Sequence, residues 1–104
     1  MTARVLRREA AKRDLTNQWI WYAENTDFKI ADRFLDAVES TLRLLSNHPG
    51  SGVAIPVRKA ELQGIRRFPV SDGFERILLF YFPIIDLVRV IHGSRDFMRL
   101  LRGG

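Results

Sequence analysis

Five arginines and one histidine in the second half of this 104-residue chain, Arg66, Arg67, Arg76, Arg89, Arg95 and His92, are the residues whose types could do chemistry together. Guanidinium groups grip carboxylates and phosphates through planar, paired hydrogen bonds. An imidazole can move a proton near neutral pH. A convergent Arg/His group without metal suits RNA cleavage by 2′-OH attack, with Arg66, Arg76 and Arg95 holding the phosphate and His92 transferring the proton. The same cations would serve equally well to hold the acidic side chains of a partner, and the plain alternative is a set of scattered, solubilising arginines. Strand alternation sends Arg66 and Arg67 to opposite faces, so only some of the group can converge. His92-Gly93-Ser94 places a serine beside the histidine, but with no oriented carboxylate implied the pair reads as coincidence. Asp96 reads as the cap of a final helix.

Composition narrows the chemistry further. Cysteine is absent, which excludes disulfide scaffolds, zinc ribbons, thiol nucleophiles and iron–sulfur clusters. His48 and His92 lie far apart, so neither a metal site nor a cofactor is expected, and no G-x-x-x-x-G-K-[ST] or G-x-G-x-x-G turn occurs. The longest apolar run, Ile77 to Ile85, is nine residues against the roughly 20 that a membrane-spanning helix needs. The first residues show no secretory h-region. A single domain over 1–104, located in the cytoplasm and away from membrane, is the expectation. Seventeen basic against twelve acidic side chains give a net charge of +5, and fourteen of the seventeen are arginine. Such a balance points to an acidic protein partner, nucleic acid, or both. The excess is spread along the chain, so any anionic site must be assembled by folding.

The elements that must do this assembling are visible in the periodicity. Residues 3–7 read as an edge strand. From Glu9 to Glu24, Ala11, Leu15, Gln18, Trp19, Tyr22 and Thr26 recur on one helical face. Trp21 lies off that stripe, which leaves it either a second contact or an exposed anchor. Asp27 is placed to cap a second helix whose stripe is Ala31, Phe34, Leu35, Val38, Leu42 and Leu45, with Glu39 and Arg43 spaced as a supporting ion pair. The short link implies an antiparallel hairpin. Ser46 to Gly52 ends the helical part, with Asn47 and Gly50 able to take left-handed backbone. Residues 53–60 carry no clear pattern. Leu62 to Val70, Glu75 to Phe82 and Ile85 to His92 then read as three antiparallel strands with turns at Ser71-Asp72-Gly73 and Pro83-Ile84. The middle strand is apolar on both faces. The hairpin can cover one; the other needs the C-terminal helix, Asp96 to Arg102, or a partner chain.

Ala11 with Asp14-Leu15, Tyr22-Ala23-Glu24, Ala31-x-x-Phe34-Leu35-Asp36-Ala37 and Leu45-x-x-x-Pro49-x-x-Gly52 resemble the helical half of ParE-type toxins. Leu62-x-Gly64-Ile65-Arg66-x-Phe68-Pro69-Val70, Arg76-Ile77-x-x-x-Tyr81 and Val88-x-Val90-Ile91-His92-Gly93-Ser94-Arg95-Asp96 are similar to the sheet and C-terminal signature of the same family. The resemblance implies an α+β fold of the ParE/RelE kind, β-α-α-β-β-β, with an antiparallel sheet packed on a helical hairpin and a short C-terminal helix. It also implies the toxin of a type II toxin–antitoxin system, neutralised by a cognate acidic, ParD-like antitoxin and reaching operator DNA only through that complex. ParE-type toxins are associated with poisoning DNA gyrase, whereas RelE-type relatives cut messenger RNA on the ribosome, and a shared fold does not separate the two. Lys is absent from residue 60 onward and no Tyr or His follows Asp96, which departs from the nuclease pattern. A non-enzymatic gyrase inhibitor is thus the favoured expectation, contacting its target through Arg95, Arg99 and Arg102 and its antitoxin through Trp19, Trp21, Arg66, Arg76 and Arg89. A metal-independent endoribonuclease, or a non-toxic autoregulatory member, is the alternative.

Overall fold

The structure, a computed structural model, describes residues 5–103, with side chains described for residues 5–101. The elements are β1 (Leu6–Arg7), α1 (Glu9–Asn25), α2 (Phe28–Asn47), β2 (Val53–Ala54), β3 (Arg66–Pro69), β4 (Ile77–Phe82), β5 (Asp86–His92) and α3 (Phe97–Gly103), with single 3-10 turns at Pro49–Ser51 and Ala60–Leu62. The strands form one sheet in the order β1-β5-β4-β3-β2. Every pair is antiparallel except β1 with β5. The α+β arrangement expected from the sequence is present with one strand more, because Val53 and Ala54 pair with Arg67 and Arg66 at the sheet's edge. Two exposed residues are too few to show alternation, so β2 has no periodic signal. Ala3 and Arg4 of the expected first strand lie outside the described residues. Among the described residues no helix is long and apolar enough to cross a membrane.

The second helix starts where the sequence says it should. The Asp27 carboxylate accepts the Ile30 amide at 2.9 Å, satisfying an otherwise orphan donor of the first turn. It ends at Asn47 because His48 precedes a proline, which disfavours helical backbone and removes the next donor. Neither Asn47 nor Gly50 takes a left-handed conformation, contrary to expectation. Ala31, Phe34, Val38, Leu42 and Leu45 face the sheet and are buried, whereas Leu35 turns outward beside Trp19. Glu39 pairs not with Arg43 but with Arg7 of β1 at 2.7 Å, and the Arg7 guanidinium holds its carboxyl below the usual range. This contact fastens the edge strand to the hairpin.

Strict alternation along β4 divides the interior. Ile77, Leu79 and Tyr81 enter a core with Leu15, Phe34, Val38, Leu42 and Leu45 of the hairpin. Tyr22, Phe34 and Phe74 meet there at ring centroid distances of 5.4 to 5.6 Å, each pair adding about 0.5–1.5 kcal/mol beyond simple burial. Leu78, Phe80 and Phe82 face the opposite side, where Ile55, Leu62, Ile65, Val88, Ile91 and Leu101 close a second core. The chain therefore covers the second face itself, with α3 and the irregular segment 55–65. That segment, and not a further strand, occupies the start of the expected Leu62–Val70 strand. At the β3–β4 turn, Asp72 and Gly73 have φ of 60° and 98°, a conformation that Asp tolerates and Gly adopts freely.

Candidate functional site

The site is organised by one irregularity in β5. Phe80 pairs with Arg89 and Tyr81 with Leu87, so Val88 is an extra residue in the ladder. The bulge keeps Leu87 and Val90 in one core and Val88 and Ile91 in the other, and it frees Arg89 to reach past the sheet's edge. Since β1 pairs only with Asp86 and Leu87, the rest of that edge has no strand partner among the described residues. Asp14 of α1 fills the place. Its carboxylate accepts Arg89 Nε at 2.7 Å, Arg89 Nη2 at 3.1 Å and the Val90 amide at 2.9 Å. The Arg89 guanidinium also donates to the Leu100 carbonyl of α3 at 3.3 Å. Its pKa is raised, first by the hydrogen bond to Asp14. Arg89, expected on the antitoxin surface, is thus engaged in tying α1, β5 and α3 together. Asp14 sits one residue before Leu15 and a turn after Ala11, so its position on the inward side of α1 was readable, but its partner 75 residues away was not.

Arg66 is also engaged within the chain. Its guanidinium donates to the Gly52 carbonyl at 2.6 Å and the Gly50 carbonyl at 3.4 Å. Beside it Tyr81, fully buried, donates its hydroxyl to the Pro49 carbonyl at 2.7 Å and accepts the Gly52 amide at 2.9 Å. These two side chains hold the loop that follows α2. Burial pushes the Tyr81 phenol above its ordinary pKa, against the opposing pull of the Gly52 amide and Arg66. A raised folded pKa means the unfolded chain ionises first, so the stabilisation is complete below pH of about 10 and is lost as pH rises beyond it. Tyr81→Phe is expected to cost about 1–3 kcal/mol at neutral pH, because the Pro49 carbonyl and Gly52 amide lose a buried partner. Thermal melts at pH 7 and at alkaline pH check both points, and the deficit relative to the parent should shrink at the higher pH.

The remaining expected residues meet at the other end of the sheet. Ile77 pairs with His92, Gly93 donates its amide to the Arg76 carbonyl, and the Arg95 amide donates to the His92 carbonyl at 3.0 Å. Arg76, His92, Ser94 and Arg95 thereby line one side of an open groove of about 830 Å³, and Asn17, Gln18 and Trp21 of α1 line the other. Among the described residues, neither the Arg76 nor the Arg95 side chain makes a hydrogen bond or ion pair. Trp21 is 52% exposed and meets Tyr22 edge-on, so it is the exposed member of the tryptophan pair that its off-stripe position allowed. Trp19 instead turns to the outer face of the hairpin, against Phe28, with its indole N–H on Asp32 at 3.1 Å. At His92 the Ser94 amide donates to Nδ1 at 3.1 Å, and the Ser94 hydroxyl lies 2.7 Å from the same nitrogen. Nδ1 is thus the acceptor of the Ser94 amide, and the serine contact belongs to the local turn. Asp96 caps α3 as expected, accepting the Arg99 amide at 3.2 Å. Arg99 is exposed on that helix, and the side chain of Arg102 lies outside the described residues.

A helical hairpin laid on a mixed sheet, with cations and one open indole lining a groove where the strands end, defines a small α+β protein. The chain belongs to the ParE toxins of type II toxin–antitoxin systems, parDE, whose family model matches residues 5–97. No curated protein matches it. It is accordingly the toxin half of a two-protein system, with an antitoxin as its partner.

Proposed function

We propose that this toxin acts by inhibiting DNA gyrase in the cytoplasm, and that a small acidic, ParD-like antitoxin neutralises it. The observation that carries this reading is the ParE family match over residues 5–97. The structure adds that Arg66, one of the three arginines the ribonuclease alternative would place on the phosphate, is engaged by the Gly52 carbonyl at 2.6 Å. The target surface in this reading is Arg95 and Arg99, with Arg102 of the same helix. The antitoxin surface is Trp19, Trp21 and Arg76, while Arg66 and Arg89 support it by fixing the loop and α3. Purified chain should abolish gyrase supercoiling or accumulate cleaved DNA, and its expression without antitoxin should induce the DNA-damage response with messenger RNA intact. Unaffected gyrase at molar excess, despite a growth defect, would end the gyrase reading. The ribonuclease reading retains one observation in its favour, the convergence of His92, Arg76 and Arg95 on one groove. Loss of toxicity in His92→Gln, with messenger RNA cleavage lost alongside it, would support that alternative.

A further inference from the structure

We propose that the groove between α1 and the ends of β4 and β5 binds a short single-stranded segment of nucleic acid, its phosphates on Arg76 and Arg95 and one base stacked on Trp21. Three features of the groove select this ligand over a merely acidic one. Arg76 and Arg95 stand on its sheet side without a carboxylate among the described residues, and unpaired guanidiniums are what a phosphate backbone needs. Trp21 stands on the opposite side, half exposed, and stacking on an open indole recognises any unpaired base by its π-face. Asn17 and Gln18, within one turn of it, present amides that both donate and accept, as the edge of an unstacked base requires. A ligand of carboxylates alone would use the arginines but gain nothing from the indole, and the antitoxin, whose proposed surface shares Trp21 and Arg76, would compete with the nucleic acid for the groove.

The charges in the groove match a short contact. Asp14 is neutralised by Arg89 at 2.7 Å, and Glu75, held to the turn by the Gly73 amide at 3.0 Å, keeps its charge, so Arg76 and Arg95 leave the groove with a net positive charge of one. A duplex offers phosphates but keeps its bases stacked internally, and Trp21 could not reach them. The inference rests on the gyrase reading only for its cellular source, the strands exposed where gyrase opens DNA. The binding itself is a property of this chain.

Fluorescence anisotropy of labelled short oligo-dT and oligo-rU with the full chain, gyrase absent, tests it. Saturable binding is expected, at least tenfold weaker for a duplex of the same length, with a log–log salt slope of roughly −1.4 for two phosphate contacts. Trp21→Leu should weaken binding about 5- to 100-fold and Trp21→Tyr should restore most of it. Arg76→Gln and Arg95→Gln should each flatten the salt slope by about 0.7. Preference for DNA points to the opened gyrase substrate and preference for RNA to a transcript, and either supports the site. Absence of saturable binding overturns it. So does equal binding of the duplex or of hexaglutamate, or binding indifferent to Trp21→Leu. Gyrase inhibition with no oligonucleotide binding would remove this inference and leave the gyrase reading in place, and the reverse pattern would do the opposite.

Discussion

Asp14→Ala is expected to be among the most damaging single changes, costing about 2–4 kcal/mol and lowering the melting temperature on the order of 10–25 °C. The side chains of Asp14 and Arg89 are only 16% and 21% exposed, so deleting the carboxylate leaves a guanidinium poorly solvated and unpaired. The same deletion strips the Val90 amide of its acceptor at an edge that no strand covers. Arg89 would still reach the Leu100 carbonyl, so α3 should keep part of its anchorage. Asp14→Asn should cost less, because an amide oxygen can still accept the Val90 N–H. The double change Asp14→Ala with Arg89→Leu should recover part of the loss, since it removes the uncompensated charge as well. Denaturant unfolding of the three variants measures this. A loss below about 1 kcal/mol in Asp14→Ala would show that the edge of β5 is held by something else.

Gly52→Ala should be nearly as costly, at about 2–4 kcal/mol, and for a reason that has nothing to do with backbone conformation. Gly52 has φ −71° and ψ 158°, which any residue can adopt. The obstacle is space, since a Cβ there would lie 2.6 Å from the Tyr81 hydroxyl and 2.8 Å from the Arg67 carbonyl. Tyr81 cannot retreat without losing the Pro49 and Gly52 hydrogen bonds, and the carbonyl belongs to β3. The gain from a stiffer unfolded chain, about 0.4–1 kcal/mol, is too small to offset this. Adding Tyr81→Phe removes one of the overlaps and should rescue the variant only partly. Gly50, with nothing within 4 Å of its would-be Cβ, is the internal control, and Gly50→Ala should melt close to the parent. A Gly52→Ala chain that melts within about 2 °C of the parent would refute the packing argument.

The two ends of the molecule differ in how far they could be read from residue order. The hairpin was legible in detail. Asp27 announces the second helix and the stripe from Ala31 to Leu45 faces the core except at Leu35, because these signals act over one or two turns of helix. The left-handed stop expected at Asn47 and Gly50 is replaced by the proline that follows His48. The apolar run Ile77 to Phe82 likewise required cover on both faces, which the structure supplies. The identity of the cover was not legible. Residues 55–65 have neither helical nor strand period, yet Ile55, Leu62 and Ile65 are buried, Ile65 completely. Leu35 and Trp19 lie at helical spacing on their stripes and still point outward together, because hairpin packing admits a narrower face than the pattern offers.

Among the arginines, sequence determined the number, the charge and the alternation that separates Arg66 from Arg67, and it determined the ParE signature that the family match bears out. Only the tertiary structure decided which of them find partners among the described residues. A bulge of one residue at Val88 turns Arg89 toward Asp14, a loop closed by Tyr81 engages Arg66, and Arg76 and Arg95 are left facing Trp21 across a groove. The physical reason is that hydrophobic period fixes a side chain's face through local geometry, whereas its partner depends on register between strands and helices brought together from 75 residues apart.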